Sequence, residues 1–363
     1  MKRLSGALCL GAAVSCAALA CPPGGATHAL ARGGGTGNIW TAGAALPTGV
    51  MQAATGAIGN RVYVVGGSYG PATSRTFPTS NQAYDTTTNS WSSRAPIPTA
   101  RAYAAAAVGT DGAGRTLLYV IGGYTQDWSA GTTTWIGANE AYDPNTDSWT
   151  TEAPMPTPRW GAAVGKASNG LIYVAGGGTA AGDSAVVEAY NPATNTWTCS
   201  TNDTAPGCSS TALAPLPQPV VKAAGASDGA SVYVEGGETI SGTALVYLDT
   251  NYIYNTNTNS WTTGRPLPVT ISFGAGAVAR DSSTGALSLY VIGGWTPSTD
   301  LATTYEYSSK GNKWVAKASM PTARDSAAAA VAGNGKVYLM GGEGRTSSAT
   351  FVNGLDVDEA YQP

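Results

Sequence analysis

Val62-Tyr63-Val64-Val65-Gly66-Gly67 is a β-branched run that stops at two glycines, and it returns five more times along the chain. The other copies are Leu118-Tyr119-Val120-Ile121-Gly122-Gly123, Ile172-Tyr173-Val174-Ala175-Gly176-Gly177, Val232-Tyr233-Val234-Glu235-Gly236-Gly237, Leu289-Tyr290-Val291-Ile292-Gly293-Gly294 and Val337-Tyr338-Leu339-Met340-Gly341-Gly342. After each comes a variable stretch and then a tyrosine: Tyr84, Tyr142, Tyr190, Tyr254, Tyr307 and Tyr361. Five of these have a tryptophan seven positions on, at Trp91, Trp149, Trp197, Trp261 and Trp314. Turn formers such as Asp143-Pro144-Asn145-Thr146-Asp147 lie between, which reads as a hairpin. Beyond each tryptophan comes a proline-rich stretch and then a strand of small residues, as from Arg101 to Val108 and from Arg324 to Val331.

Each unit therefore holds four strands, labelled a to d outward: small residues on a, Gly-Gly ending b, tyrosine on c, tryptophan on d. Repeats of this kind, each a single sheet, predict a radial array. Inner strands crowd an axis and suit Ala and Gly, while bulky Tyr and Trp fill the widening gap further out. The sixth unit ends at Tyr361-Gln362-Pro363, without a tryptophan strand of its own, and Asn38-Ile39-Trp40 stands alone before the first strand a. The N-terminal strand should complete the last sheet and close the ring, hiding its edges. The expected fold is all-β, a six-bladed β-propeller spanning residues 38–363.

These residues resemble the kelch family, through Gly-Gly, Tyr-Asp-Pro-x-Thr-Asn-x-Trp and Pro-x-Pro-x-x-Arg, over essentially everything after Asn38. The resemblance implies the fold; kelch propellers host many unrelated functions.

The N-terminus reads as a secretory signal. Lys2 and Arg3 precede an apolar stretch from Leu4 to Ala20, and small-x-small sites end at Ala20 and Ala31. Residues 1–31 are expected to be removed, with cleavage after one of those alanines, and 32–37 to form a flexible lead. Secretion or a cell-surface location follows; attachment as a lipoprotein at Cys21 is a weaker reading, because Ala18 stands where a lipobox wants Leu. In an oxidising compartment Cys199 and Cys208 should pair. No later segment reaches the roughly 18 apolar residues of a spanning helix. With a net charge of −3 and no block of like charge, nucleic acid is an improbable partner.

Galactose-oxidase-like enzymes also carry kelch repeats and bind copper through His and Tyr. The chain's one histidine is His28, beside the cleavage sites, which rules out a His-ligated metal or a His-dependent nucleophile in the mature domain. No cofactor is expected. The six-bladed sialic acid mutarotase family is a second comparison; it uses a Glu after the strand-b turn and an Arg six residues on. Here Glu238 follows Gly236-Gly237, but Ala244 stands at the Arg position. Glu343 and Arg345 follow Gly341-Gly342 with different spacing, and Asp325 is a further candidate acid. A metal-independent sugar epimerase, mutarotase or glycosidase built on Glu and Arg is the alternative function.

The first reading is a non-catalytic recognition module, acting as a monomer, whose mouth binds a glycan or a protein. Two positional sets should line that mouth. One opens strand a: Val50, Arg101, Arg159, Val220, Ile271 and Arg324. Resemblance to kelch binding modules implies that Arg101, Arg159 and Arg324 point into the mouth. The alternative is that they pack against neighbouring blades and bond backbone carbonyls. The other set follows Gly-Gly: Ser68 and Tyr69, Tyr124, Gly178, Glu238, Trp295 and Glu343. Trp160 and Tyr103 add aromatic surface, and Trp128 and Trp135 break the repeat, either as site residues or as a local cluster over the second blade.

Overall fold

The computed structural model describes residues 37–345, 351–352 and 354–363. The expected signal segment, with Cys21 and His28, lies outside the described residues.

Six antiparallel sheets, each a blade of four strands and one extended by a fifth, form a closed β-propeller, with no helix among the described residues. Blade 1 is Ala54–Ile58, Arg61–Val65, Asn81–Asp85 and Ser90–Arg94; blade 2 is Ala105–Thr110, Thr116–Ile121, Asn139–Asp143 and Ser148–Glu152. Blade 3 is Ala163–Lys166, Ile172–Ala175, Val187–Asn191 and Thr196–Ser200; blade 4 is Ala224–Ser227, Ser231–Glu235, Asn251–Asn255 and Ser260–Thr263. Blade 5 is Ala275–Arg280, Leu287–Ile292, Thr304–Ser308 and Lys313–Ala316; blade 6 is Ala328–Val331, Val337–Met340, Asp358–Gln362 and the N-terminal Ile39–Ala42. The expected closure is present, with Trp40 opposite Tyr361 in register.

The repeat residues hold each blade to its neighbour. In each blade the strand-c Tyr ring lies 4.9–5.1 Å, centroid to centroid, from the strand-d Trp. The strand-b Tyr reaches the strand-c Tyr of the next blade at 5.4–6.4 Å, as Tyr63 does with Tyr142. Each Trp indole donates to a carbonyl leaving the preceding blade, Trp91 to Ala44 at 2.8 Å and Trp40 to Ala318 at 2.9 Å. A turn residue two before each Trp adopts positive φ, from Asn312 at 44° to Asn38 at 62°. Asn and Asp tolerate that region because their short polar groups bond locally. Here the side-chain oxygen accepts twice, from the strand-c Tyr hydroxyl and from a backbone N–H of the preceding blade's exit: Asn89 from Tyr84 and Ala44, Asn38 from Tyr361 and Ala318. The N-terminal strand thus reproduces these three bonds of an ordinary strand d.

Gly-Gly has an equally definite role. Both glycines have positive φ in all six blades, and the second donates to the carbonyl at the strand-a opening of the next blade, Gly67 to Arg101 at 2.9 Å. A Cβ on Gly66 would lie 2.7 Å from that carbonyl oxygen, so only glycine allows this approach. Cys199 and Cys208 form the expected disulfide. The segment after it is a fifth strand of blade 3, Cys208–Leu213, parallel to Thr196–Ser200. No helix is long and apolar enough to cross a membrane among the described residues.

Removing the chain through Pro47 takes away strand d of blade 6 and exposes Tyr361 and the flank of strand c. The truncated protein is expected to aggregate, or to melt at least about 10 °C lower; unchanged calorimetric melting would contradict closure by this strand.

Asp358 offers a second test. Asn81, Asn139 and Asn251 hold the equivalent position in blades 1, 2 and 4 and donate to backbone carbonyls at 3.1–3.3 Å. Burial pushes the Asp358 carboxyl up to about 7, against the opposing pull of Arg324. The folded-state pKa is above the unfolded one of about 3.9, so the protonated acid suits the fold. That stability is intact below about pH 4 and is lost as pH rises through about 7. Asp358→Asn should therefore gain on the wild type by about 2–4 kcal/mol at pH 8 and by little at pH 4, as read by denaturant titration.

Candidate binding site at the propeller mouth

Strand a of each blade is entered by three residues with separate tasks. The first is the Arg, Val or Ile position. The second bridges the residue after Gly-Gly: Met51 with Ser68, Ala102 with Tyr124, Trp160 with Gly178, Val221 with Glu238, Ser272 with Trp295 and Asp325 with Glu343. The third is Gln52, Tyr103, Gly161, Lys222, Phe273 or Ser326, with φ between 54° and 62°. Each of these six donates its backbone N–H to the carbonyl of its counterpart in the preceding blade, at 2.8–3.1 Å, and the Gln52 to Ser326 bond closes the circle. Five of the six are not glycine. Holding them in this region costs on the order of 1–2 kcal/mol each, sustained by the bonds on either side.

This ring carries the mouth. A cavity of about 350 Å³ is lined by Gln52, Arg75, Tyr103, Tyr124, Thr133, Trp135, Trp160, Lys222, Phe273, Ser326 and Glu343. A smaller one of about 120 Å³ touches all six ring residues and the Ala or Gly that follows each. Tyr103 is the hub of the aromatic wall: its ring lies 5.1 Å from Trp160, 5.8 Å from Phe273 and 6.0 Å from Tyr124, nearly parallel to the last. Tyr124 and Trp160 meet at 5.6 Å. Burial pushes the Tyr103 and Tyr124 phenols up, so both stay protonated at neutral pH.

The charges come in pairs. The Lys222 ammonium sits 4.5 Å from the Phe273 ring centre and 5.3 Å from that of Trp160, and it bonds Glu238. Glu238 also accepts from the Ser272 hydroxyl at 2.9 Å. Arg75, in the loop after Gly66-Gly67, lies 3.5 Å from Glu343. Trp128 donates its indole N–H to the Arg75 carbonyl at 2.9 Å, tying the blade 2 hairpin (Tyr124–Asp127 with Thr132–Trp135) to that loop.

Of the residues expected at the mouth, Tyr124, Trp160 and Glu343 line the larger cavity, and Glu238 adjoins it through Lys222. Tyr103 and Trp135, noted for surface and for breaking the repeat, also line it. Tyr69 pairs with Thr76 and packs against the blade 6 to blade 1 core, and Trp295 pairs with Ser272 and Asp300; neither lines this cavity. Arg75, Gln52, Lys222, Phe273 and Ser326 were not foreseen. A signal was available for four of them: the ring position lies two residues after the Arg, Val or Ile position, and it carries a different residue in every blade.

Arg101, Arg159 and Arg324 lie elsewhere. They are 0–1% exposed, each in an ion pair with a strand-c glutamate of its own blade: Arg101 with Glu140 at 2.8 Å, Arg159 with Glu188, and Arg324 with Glu359 at 2.5 Å. Each also donates to a strand-b carbonyl, of Val120, Val174 and Leu339 in turn. The arrangement expected from kelch binding modules, with these side chains in the mouth, is therefore not the one in the structure. The alternative, a blade element bonded to backbone carbonyls, is. Burial pulls the Arg101 and Arg324 guanidinium pKa values down and pushes the Glu188 carboxyl up to about 7.

A family model described as the KLHDC2/KLHL20/DRC7 Kelch-repeats domain matches residues 52–263, and a Kelch motif model matches 287–321. The Kelch-like protein terF of Aspergillus terreus is 28% identical over 332 residues, covering 86% of this chain and 64% of that protein. Kelch-like protein 25 of Xenopus tropicalis is 28% identical over 234 residues, 62% of this chain and 35% of that one. An F-box/kelch-repeat protein of Arabidopsis thaliana is 36% identical over 121 residues, 33% of this chain and 29% of that one. The chain thus spans between 29% and 64% of the length of these curated relatives. Among solved structures, that of YjhT superposes with a TM-score of 0.64 at 19% identity, over 86% of this chain and 95% of that one.

The buried pairs predict a reciprocal mutant result. Arg101→Val strands Glu140 in the interior and should cost about 3–5 kcal/mol. Adding Glu140→Gln rebuilds the pair that blade 1 uses, where Val50 goes with Gln82 and Gln82 bonds both backbone groups of Thr48. The double variant should recover most of the loss in thermal or chemical denaturation; additive losses would show that the two residues act independently.

Proposed function

Because the chain belongs to the kelch-repeat family, we propose that it is an exported, non-catalytic recognition module that binds a carbohydrate at the propeller mouth. The observation that carries the reading is the convergence of Tyr103, Tyr124, Trp135, Trp160 and Phe273 on one cavity of about 350 Å³. Flat rings give stacking area at low entropic cost, and the interleaved polar groups of Gln52, Arg75, Lys222 and Glu343 give orientation. The disulfide fits an oxidising compartment, in keeping with export.

A protein partner is the second reading, in line with the kelch-like relatives and supported by a separate surface. The blade 4 hairpin (Glu238–Ser241 with Ala244–Tyr247) leaves Ile240 and Leu245, opposite each other in register, 60% and 51% exposed. It begins at Glu238, at the edge of the mouth, so a polypeptide seated on the mouth could cover both. The enzyme alternative has a cation and a carboxylate in reach of each other at Arg75 and Glu343, where the two groups pair with each other.

The full chain should be screened on immobilised glycans and on a displayed peptide library in parallel. Binding to a saccharide that falls about tenfold or more in Trp160→Ala, with the melting temperature within a few degrees, supports the first reading. Peptide binding lost in Ile240→Asp with Trp160→Ala unaffected would favour the second and overturn the first. Sequencing the N-terminus of the exported protein tests cleavage after Ala20 or Ala31.

A further inference from the structure

Blade 3 adds a second acid to the buried pair that it shares with blades 2 and 6. In those two blades the threonine two residues before the buried arginine donates its hydroxyl to the strand-c glutamate, Thr99 to Glu140 at 2.8 Å and Thr322 to Glu359 at 2.9 Å. In blade 3 the equivalent hydroxyl, of Thr157, turns to Asp203 at 3.1 Å, and Glu188 takes the Thr157 backbone N–H at 2.8 Å. Asp203 comes from residues 201–207, the loop that the Cys199–Cys208 disulfide closes. It is buried while Asn202 and Thr204 on either side are exposed, so it is the residue that the loop sends inward. One of its carboxylate oxygens lies within 4.8 Å of both bridge sulfurs, and Glu188 stands opposite Cys199 in the ladder.

Asp203 Oδ1 accepts from the Thr157 hydroxyl and from the Ala205 N–H, the latter at 2.9 Å. Its Oδ2 is buried and accepts from no N–H or hydroxyl among the described residues; the Asp203 carboxyl meets that of Glu188. Ionised carboxylates only accept, so a hydrogen bond between the two requires a proton. The charged groups that face Glu188, among the described residues, are Arg159 at the entry to strand a and Asp203 from the loop. We propose that this is a proton-operated latch: the loop stays closed on the Cys199–Cys208 bridge while Glu188 and Asp203 hold one proton between them, and is released when both ionise. Burial pushes the Glu188 carboxyl up to about 7 against the pull of Arg159, and the bond to Asp203 pushes the same way. An unfolded Glu titrates near about 4.3. The latch is therefore intact below about pH 4 and is lost as pH rises through about 7.

The test follows the rate at which a neutral, water-soluble phosphine reduces the bridge in the folded full chain at about pH 5 and about pH 8. The phosphine supplies two electrons and becomes the phosphine oxide with oxygen from water, and the sulfurs become two thiols. Asp203→Asn is the reference. Its amide oxygen can still accept from Thr157 and Ala205, and its N–H can reach Glu188 whatever the pH, so its latch does not titrate. Dividing by its rate at the same pH removes the reagent's own pH dependence. The wild-type ratio is expected to rise about tenfold or more between the lower and the higher pH. Asp203→Ala, which has no latch, should be reduced about tenfold or more faster than the wild type at the lower pH. A ratio that does not change with pH, or an Asp203→Ala bridge reduced as slowly as the wild type at the lower pH, overturns the latch. A measurement without variants decides as well. Hydrogen-exchange protection of residues 201–207 should fall about tenfold or more over the same range, while that of Ile172–Ala175 in the same blade holds. Equal protection of the loop at both pH values overturns the proposal.

Discussion

Six backbone hydrogen bonds around the axis hold this molecule together in a way that no single blade can. They run from Gln52 to Ser326 and on through Phe273, Lys222, Gly161 and Tyr103 back to Gln52, each residue donating to the blade before and accepting from the blade after. A linear chain of such bonds leaves an unmatched donor and an unmatched acceptor; a circle leaves neither. Opening the circle between any two blades would break this matching, so the centre holds only while the ring is closed. It also sets the direction of the side chains. With φ near 60° at all six positions, the chain turns and presents the Cβ of each of the five non-glycine residues to the cavity on the axis. The repeat therefore builds the frame of the mouth identically six times, and the residues upon it are free to differ.

Around that ring, strain and satisfaction recur in fixed places. Gly-Gly lets strand b end against the carbonyl of the next blade, and the Asn or Asp before Trp bends the outer hairpin while accepting two bonds. Both positions have φ above zero, and both reach into a neighbouring blade. Local conformations that would be costly in isolation are thus made good between blades. A single excised blade would have to carry those conformations without the partners that offset them.

The fold was readable from the sequence because every residue that builds it recurs: Gly-Gly, Tyr, Asn-x-Trp, and the closing Asn38-Ile39-Trp40. The mouth was only half readable, for a related reason. Repetition draws attention to positions that stay the same, and a ligand site on a propeller is made of positions that change. Arg101, Arg159 and Arg324 attracted a functional reading because they repeat in three blades, yet the same three blades have Glu two residues before the strand-c Tyr, while blades 1, 4 and 5 have Gln82, Tyr252 and Tyr305 there. That joint occurrence is the sequence trace of a buried pair, exchanged as a unit because either charge alone would be stranded. Arg75 gave no such trace. It sits in a loop after Gly66-Gly67 and reaches the mouth by tertiary packing under Trp128 and against Glu343.

The closing strand has a mechanical corollary. Ile39 pairs with Gln362, and Ala42, deeper in the sheet, with Glu359. The two strands are antiparallel, so their outer ends lie side by side at the same edge of blade 6. A force that separates those ends loads the ladder one bond at a time, from Ile39 inward, instead of straining all of it in parallel. The arrangement that is strong against heat, because it hides two edges, is weak against pulling, because it peels. Blade 6 is therefore the predetermined tear line of the propeller. Tension between the two ends would open the circle there first, at a rate governed by the barrier to peeling and not by the stability of the whole.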